Sequence, residues 1–207
     1  MLRIKIGGKE YSMPTSWDEL TMREYCHLFY KLPSVDSNAS EDERGICTLR
    51  NEGVILSRLL GQDDDFVLGL PLQVFSMLQT HASFLYSING FLESGIFSLK
   101  IDGRRYKMCD VSAMSLRQYI DADMIMKDGD NEGQFIELLA CLLVEDGKEY
   151  DGSYKDLVPK IGDMSASDCL PFIYTFFKKK ELSKRLSEVC SKVEAESSRL
   201  LHNIQGS

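Results

Sequence analysis

Two short stretches of the chain alternate between apolar and polar residues on either side of a turn-forming pair. The first, RIKIGGKEYSM, turns at Gly7–Gly8, and the second, SLKIDGRRYKM, turns at Asp102–Gly103. Gly-Gly and Asp-Gly pairs tolerate the positive φ angles that a tight hairpin turn requires. The pattern therefore predicts one β-hairpin around each pair.

Each predicted hairpin is followed by a helix-start signal. Thr21 stands three residues before Glu24, and Ser115 stands three residues before Gln118. This is the spacing of a capping box, in which a hydroxyl accepts from the third amide of the helix and the longer side chain reaches back. The two signals predict the same kind of helix start after each hairpin.

The helices that follow are expected over about residues 22–31 and 116–126. Tyr25 and Tyr119 occupy the same turn in the two helices, so we expect both to pack under their hairpins. Trp17, the only tryptophan, is expected to anchor the strand to the helix as a packing residue.

Further apolar segments predict two more helices in each half. The second helices begin at Glu52-Gly53 and at Glu132-Gly133 and continue through residues 61 and 146. The third helices are expected within residues 70–88 and 165–180. The polar, acidic stretch 33–45 lengthens the first half only, which predicts an exposed loop or contact segment there.

The two halves resemble each other in residues as well as in order. When Ile4–Met13 is laid over Leu99–Met108, five of the ten pairs are identical, and TMREY later matches SLRQY. This indicates a tandem duplication of a unit of about 95 residues. The expected fold class is α+β and predominantly helical, with each unit formed by a hairpin and about three helices.

The chain divides accordingly into three segments. Unit one is expected over residues 1–95 and contains the 33–45 insertion, and unit two is expected over 96–177. Residues 178–207 form a polar tail with apolar residues at helical spacing, which predicts a short amphipathic helix that is marginal in isolation. We expect this helix to bind a partner or a neighbouring copy through Leu182, Leu186, Val189, Val193 and Leu200.

Charge narrows the classes of partner. The net charge of the 207 residues is −8, and an acidic chain repels phosphate backbones on average, so direct readout of nucleic acid is not expected. The basic run Lys178–Lys180 with Lys184 and Arg185 is the one segment whose charge suits a nucleic acid. No apolar run reaches the roughly 18 residues of a membrane span, and no signal core precedes the first hairpin, which predicts a soluble cytoplasmic product.

Residue patterns for metal, cofactor or catalytic chemistry are not found. The six cysteines are widely spaced and form no C-x-x-C, which favours reduced thiols and excludes a clustered zinc site. The stretch Asp128–Leu139 begins like a calcium loop, but its twelfth position is Leu139 where a bidentate glutamate is required. His27, His81 and His202 lack neighbours at metal spacing. We therefore expect a protein without enzymatic activity or cofactor.

The opening residues carry a family resemblance. The pattern IxIGGKEYxxPxSWDELTxxEY over Ile4–Tyr25, followed by a polar loop and apolar helices, resembles small proteins of tailed bacteriophages. It is most similar to those from phages and prophages of Bacteroides-type gut bacteria, including the crAss-like group. The resemblance implies a virion component near the portal and tail, or a tail assembly chaperone, and it transfers no catalytic residues.

Together these observations favour a non-enzymatic structural protein of the virion, made in the host bacterial cytoplasm. Duplication gives one chain two similar surfaces, which suits a portal or tail connector that bridges neighbouring subunits of a ring. Its expected partners are other phage structural proteins and further copies of itself. Two alternatives stay open, namely a tail assembly chaperone that binds the tape-measure protein and a cellular adaptor protein.

Overall fold

The computed structural model of this chain describes residues 1–34, 36, 38–86, 98–109, 113–127 and 131–173. Within these ranges helices predominate and two small antiparallel sheets accompany them, which confirms the α+β class. The strands are β1 (Leu2–Ile6), β2 (Lys9–Met13), β3 (Leu99–Ile101), β4 (Arg104–Met108) and β5 (Leu143–Glu145). The helices are α1 (Met22–Phe29), α2 (Glu41–Leu59), α3 (Leu72–His81), α4 (Leu116–Lys127), α5 (Gln134–Leu142), α6 (Val158–Gly162) and α7, whose described residues are 166–173.

Both predicted hairpins are present. β1 pairs with β2 in a register that joins Ile6 to Lys9, and the turn residues Gly7 and Gly8 have φ angles of 57° and 83°. β3 pairs with β4 in the same way, with φ angles of 50° at Asp102 and 78° at Gly103. Two successive positive φ angles are the mark of the turn whose twist matches a right-handed strand pair.

The second hairpin carries a third strand that the sequence analysis missed. The apolar run from residue 132 to 146 was expected to stay helical, but α5 ends at Leu142 and the chain continues as β5. β5 lies antiparallel to β4, with Met108 opposite Leu143 and Tyr106 opposite Glu145. Pairing with the free edge of β4 stabilises this leucine-rich run as a strand by more than its intrinsic helical preference stabilises a helix. Each hydrogen bond of the ladder satisfies a backbone group on both strands.

Part of the expected 33–45 loop is helical. α2 begins at Glu41, and Ser40 is its N-cap, accepting a hydrogen bond from the Glu43 amide while the Glu43 carboxylate accepts from the Ser40 amide. The stretch Ser40–Glu43 therefore repeats the capping box of Thr21 and Glu24, which α1 forms as predicted. The acidic residues that suggested a solvated loop instead stabilise the positive end of a helix dipole.

The expected symmetry of the two helix starts is broken at Gln118. Ser115 accepts from the Gln118 amide at 3.2 Å, as predicted. The Gln118 side chain does not reach back, however, but points inward and donates to the Cys141 carbonyl oxygen at 2.8 Å. Because Gln118 takes the inward position, α4 buries a different face from the one that α1 buries.

The two tyrosines differ for the same reason. Tyr25 is half-buried, with its ring centroid 5.9 Å from that of Trp17. Trp17 is buried and also meets Phe84 edge-on at 5.3 Å, which confirms it as a packing anchor. Tyr119 is 55% exposed, so the prediction that it packs under the second hairpin is wrong.

A backbone pairing joins the beginning of α1 to the beginning of α7. Thr21 and Ser165 form an antiparallel bridge, in which the Met22 amide donates to the Met164 carbonyl at 2.9 Å. On the other side of the bridge the Ala166 amide donates to the Leu20 carbonyl at 2.8 Å. Residues about 140 positions apart are thereby held side by side.

One hydrophobic core spans both predicted units. Its buried members include Met22 and Leu56 from the first half and Leu139, Ile161 and Phe172 from the second. α1 packs against α2 in its own half and against α5 and α6 in the other. The predicted boundary between residues 95 and 96 stays a prediction about sequence units, since the packing of the described residues crosses it.

A shared core predicts that both halves unfold together. Met22→Ala and Ile161→Ala each remove a side chain with 0% exposure, one from each half, and each should lower the free energy of unfolding by about 2–4 kcal/mol. Both should shift the same single transition in urea, followed by circular dichroism and by Trp17 fluorescence. Leu116→Ala, at a position 75% exposed, is the control and should change stability by less than about 0.5 kcal/mol. Two separate transitions would show that the units fold independently.

Candidate interaction surfaces

The side of α4 that faces away from the core is apolar. Leu116, Ile120 and Met124 follow one another at four-residue spacing, and Tyr119 stands beside them. Their side chains are between 47% and 75% exposed. We refer to these four residues as the α4 outer face.

α4 is apolar on its inner side as well. Ala122 and Ile125 are buried in a second, smaller hydrophobic cluster with Cys141, and the polar Gln118 is buried on the same helix. A surface helix normally has one apolar stripe and one polar face, whereas a helix that is apolar all round belongs inside a larger structure. The second stripe of α4 is therefore a candidate interaction surface. The signal that could have revealed this surface is present in SLRQYIDADMIMK, where apolar residues occupy two sides of one short helix.

A buried polar cluster fixes which side of α4 faces out. Besides the Gln118–Cys141 hydrogen bond, the Tyr150 hydroxyl donates to Asp121 Oδ2 at 2.7 Å and lies 3.5 Å from Cys141 Sγ. The Cys141 thiol in turn lies 3.7 Å from the Gln118 carbonyl oxygen. These contacts join α4, α5 and the segment after β5, so rotation of α4 would break several of them at once.

The cluster is not arranged for nucleophilic chemistry. Burial raises the pKa of the Cys141 thiol; the Tyr150 hydrogen bond opposes this in part, and the Asp121 and Glu137 carboxylates add to the rise. Burial also raises the pKa of the Tyr150 hydroxyl far above its usual range, and the hydrogen bonds to Cys141 and Asp121 act in the same direction. Both groups are thus protonated at neutral pH, and it is the thiolate that attacks in cysteine chemistry. The role of this polar cluster is therefore to fix the position of α4.

A second apolar surface lies on α2. Ile46 and Leu49 are 67% and 55% exposed, and Gly53 follows one turn after Leu49 on the same side of the helix. Leu68 packs over Gly53 so closely that a side chain there would collide with it, and Leu68 itself is 43% exposed. These residues form a continuous band that we call the α2 stripe, made of Ile46, Leu49, Gly53 and Leu68.

A groove of about 550 Å³ opens beside the first half of α2. Pro33, Ala39, Ile46 and Cys47 supply its apolar lining. Three charged residues line it as well: Asp36, Glu43 and Arg50. A lining that combines apolar and charged side chains is found in sites that accept a peptide segment.

A smaller cleft of about 210 Å³ lies between β4, β5 and residues 148–160. Three of the cations that line it are paired with carboxylates. Arg104 and Lys148 contact Glu145 at 3.3 and 2.8 Å, and Lys160 contacts Asp102 at 2.8 Å. Glu149, Asp151 and Asp156 line the cleft as well, so its carboxylates outnumber its three cations and it offers no excess positive charge to an anionic ligand.

The described residues contain neither a metal-binding cluster nor a membrane-spanning helix. His27 Nδ1 lies 3.0 Å from Glu132 Oε1, and across the described ranges no group of three or more His, Cys, Asp or Glu residues could hold a metal ion. Residues 128–130 of the calcium-like stretch lie outside those ranges. None of the helices in the described part of the chain is long and apolar enough to cross a membrane.

The partner-binding residues expected from the sequence lie outside the described residues. These are Leu182, Leu186, Val189, Val193 and Leu200, and the basic run around Lys178–Lys180 lies there too. No family model, curated protein or solved structure matches this chain.

The raised pKa values of two cysteine thiols should make the folded state less stable at alkaline pH. Burial, with a smaller effect of Glu132, raises the pKa of Cys26 from 9.0 to about 11, and burial with Asp168 raises that of Cys169 from 9.0 to about 12. The unfolded chain therefore loses these protons first, so their contribution to stability is complete below about pH 9 and is lost as the pH rises toward 12.

We expect the urea midpoint of the wild type to fall between pH 9 and pH 11, and that of Cys26→Ala/Cys169→Ala to fall less over the same interval. Each protein is compared with its own midpoint at pH 7, which removes the cost of the substitutions themselves. Equal slopes for the two proteins would show that these thiols ionise as easily in the folded as in the unfolded chain.

Proposed function

We propose that this chain is a non-enzymatic structural protein of a tailed-bacteriophage virion, a portal or tail connector that acts through contacts with neighbouring proteins. It is made in the host bacterial cytoplasm and incorporated with other phage structural proteins. The observation that carries the proposal is the presence of two unlike apolar surfaces, the α4 outer face and the α2 stripe, on one body.

Two unlike surfaces favour assembly over a simple adaptor. The α4 outer face belongs to the second half of the chain, and the α2 stripe belongs to the first. An adaptor that binds one protein requires one such face. A subunit with two different faces can contact a neighbour on each side, and contacts of this head-to-tail kind generate rings or filaments.

The opening of the chain supports the phage setting. The residues that carry the resemblance, Ile4–Tyr25, form the first hairpin, the Trp17 anchor and the capped start of α1. They make up a structural module whose side chains pack inward, as Ile4, Met13 and Trp17 do. A resemblance in such a module concerns the fold, and it is consistent with a structural role.

We further propose that the fold arose by tandem duplication and that residues 178–207 form an amphipathic helix for partner contact. The two hairpins have the same length of turn with positive φ at both positions, and each precedes a helix with a hydroxyl N-cap. The differing faces of α1 and α4 would then have arisen as the two units merged into one core.

A tail assembly chaperone is the second candidate, and the groove beside α2 favours it. A chaperone for the tape-measure protein must hold an extended helical client, and a groove with Ile46 and Cys47 in its lining offers a place for one. The chaperone and the connector differ in their location after assembly. The chaperone leaves before the particle is complete, whereas the connector stays.

Quantitative mass spectrometry of purified phage particles and of infected lysate tests the proposal. We expect the chain in particles at a fixed ratio to the portal protein, near a whole-number multiple of its copy number. Abundance in lysate with absence from particles would contradict the connector and identify the chaperone. Absence from both would contradict the phage assignment and leave the cellular adaptor.

A further inference from the structure

We propose that the exposed face of the sheet β3–β4–β5 binds residues 41–50, the first part of α2, from a second copy of this chain. We call this face, formed by Lys100, Arg105, Lys107 and Val144, the sheet outer face, and we call residues 41–50 the α2 arm. The inference rests on the proposed function, because it names the contact that joins one assembling subunit to the next.

The sheet outer face is basic and open to solvent. Lys100 is the cross-strand partner of Arg105, and Lys107 stands two residues further along β4, opposite Val144. Cross-strand partners and alternate residues of a strand point to the same side of a sheet, so these side chains share one face. The three cations are exposed and Val144 is half-buried, in a chain whose net charge is −8.

The pairing of Lys100 with Arg105 costs stability within a single copy. Like charges directly opposite each other destabilise a pair of strands. The corresponding pair in the first hairpin is Lys5 and Glu10, whose charges attract. An acidic partner on the sheet outer face would therefore relieve a repulsion that the first hairpin does not have.

The carboxylate nearest to this face does not neutralise the pair. Asp146 contacts Lys107 at 2.7 Å and is thereby occupied. In the described part of the chain no carboxylate forms an ion pair with Lys100 or with Arg105. Two positive charges are thus left for a partner.

An apolar pocket of about 460 Å³ adjoins the cations. Three apolar residues line it: Met108, Ala113 and Val144. Charged residues line it as well, with one more cation than acid: Lys107, Lys148 and Glu149. Since Lys107 follows Arg105 by two strand residues, or roughly 7 Å, the sheet outer face presents a cation pair and, beside it, an apolar pocket.

The α2 arm presents the matching features in the same order. Asp42, Ile46 and Leu49 are spaced by four and three residues, which places them on one side of the helix. Ile46 lies roughly 6 Å beyond Asp42 along the axis and Leu49 roughly 10 Å beyond it. Ile46 and Leu49 are 67% and 55% exposed. An acid placed on the cation pair therefore carries the two apolar side chains to the pocket.

The acids of the α2 arm are available for such a contact. Glu41 and Asp42 are exposed and form no ion pair within the described ranges, whereas Glu43 caps the start of α2. Arg44 lies on the opposite side of the helix from Asp42, and Arg50 lies roughly 12 Å further along the axis. Neither arginine therefore opposes the cation pair when Asp42 is placed on it.

The α2 arm is exposed on nearly every side, which favours a second copy as the partner. Residues 41–46 and 48–50 are exposed and Cys47 is half-buried, while residues 53–57 are buried in the body. A short helix without packing is marginal in water, so the arm is stabilised when a partner covers it. The buried part of α2 keeps the arm from folding back onto its own sheet. The contact joins unlike surfaces, so it repeats from copy to copy until a ring closes or a filament ends.

Reversing the charges on each surface tests the contact in the full chain. The face variant is Lys100→Glu/Arg105→Glu, and the arm variant is Glu41→Lys/Asp42→Lys. A quadruple variant combines both reversals in one chain. An equal mixture of the two double variants provides the same complementary pairs in separate chains.

Matched controls reverse exposed charges of the same sign elsewhere. Arg3→Glu/Lys9→Glu, in the first hairpin, matches the face variant. Asp63→Lys/Asp65→Lys, between α2 and α3, matches the arm variant. Circular dichroism and the urea midpoint verify that each protein folds. If the arm reversal disturbs α2, the neutral variant Glu41→Gln/Asp42→Asn replaces it.

Sedimentation velocity, extended to millimolar chain concentration, measures association. We expect the wild type and both controls to associate, and each double variant alone to be at least about tenfold weaker. The quadruple variant and the mixture should return to within about threefold of the wild type, because opposite charges face each other again. Raising the salt concentration should weaken the wild-type contact. Ile46→Ser/Leu49→Ser should also weaken it by at least about tenfold, since the pocket loses its apolar occupants.

Any of three results would overturn the inference. A wild type that stays monomeric to millimolar concentration shows that the partner of these surfaces is not a second copy. Double variants that associate like the wild type show that copies meet elsewhere. A folded quadruple variant and a mixture that both stay monomeric show that the two surfaces do not face each other. The particle measurement is independent of these results, so failure of this contact and failure of the phage assignment are distinguishable.

Discussion

The backbone pairing between residues 20–22 and 164–166 is the contact on which the rest of the fold depends. It sets the starting points of α1 and α7 beside each other, and the Asp18 carboxylate accepts from the Ser167 hydroxyl at 2.5 Å just outside it. Because a helix extends in the direction of its first turn, fixing the two starts fixes how the halves meet. The core that includes Met22 and Phe172 packs around this junction.

Features that depend on neighbouring residues were predictable from the sequence, and features that depend on distant ones were not. The turns at Gly7–Gly8 and Asp102–Gly103 need only two residues with positive φ, and both formed where expected. The start of α2 at Ser40 had an equally local signal, which the surrounding acidic residues concealed. β5 differs in kind, because Leu143–Glu145 becomes a strand only when the edge of β4 is beside it.

The same distinction between neighbouring and distant residues applies to the candidate surfaces. The two apolar stripes of α4 are visible in the sequence, but which of them faces solvent depends on the hydrogen bond from Gln118 to Cys141, 23 residues away. A buried amide requires such a partner, since leaving it unsatisfied costs about 1–3 kcal/mol. The inward turn of Gln118 thus carries Tyr119 and Ile120 to the surface. The predicted positions Leu182 and Leu186 are outside the described residues and stay predictions.

In the proposed ring, the shared core and the two exposed surfaces depend on one another. If the halves were separate domains on a linker, the angle between the α2 stripe and the α4 outer face would vary, and successive head-to-tail contacts would not repeat the same rotation. A ring closes only when every contact adds the same rotation to the next copy. Packing α1 against α5 and α6 fixes that angle within each subunit. If the chain assembles as proposed, residues with the least exposure, such as Met22 and Ile161, support that assembly by holding the two surfaces at a fixed angle.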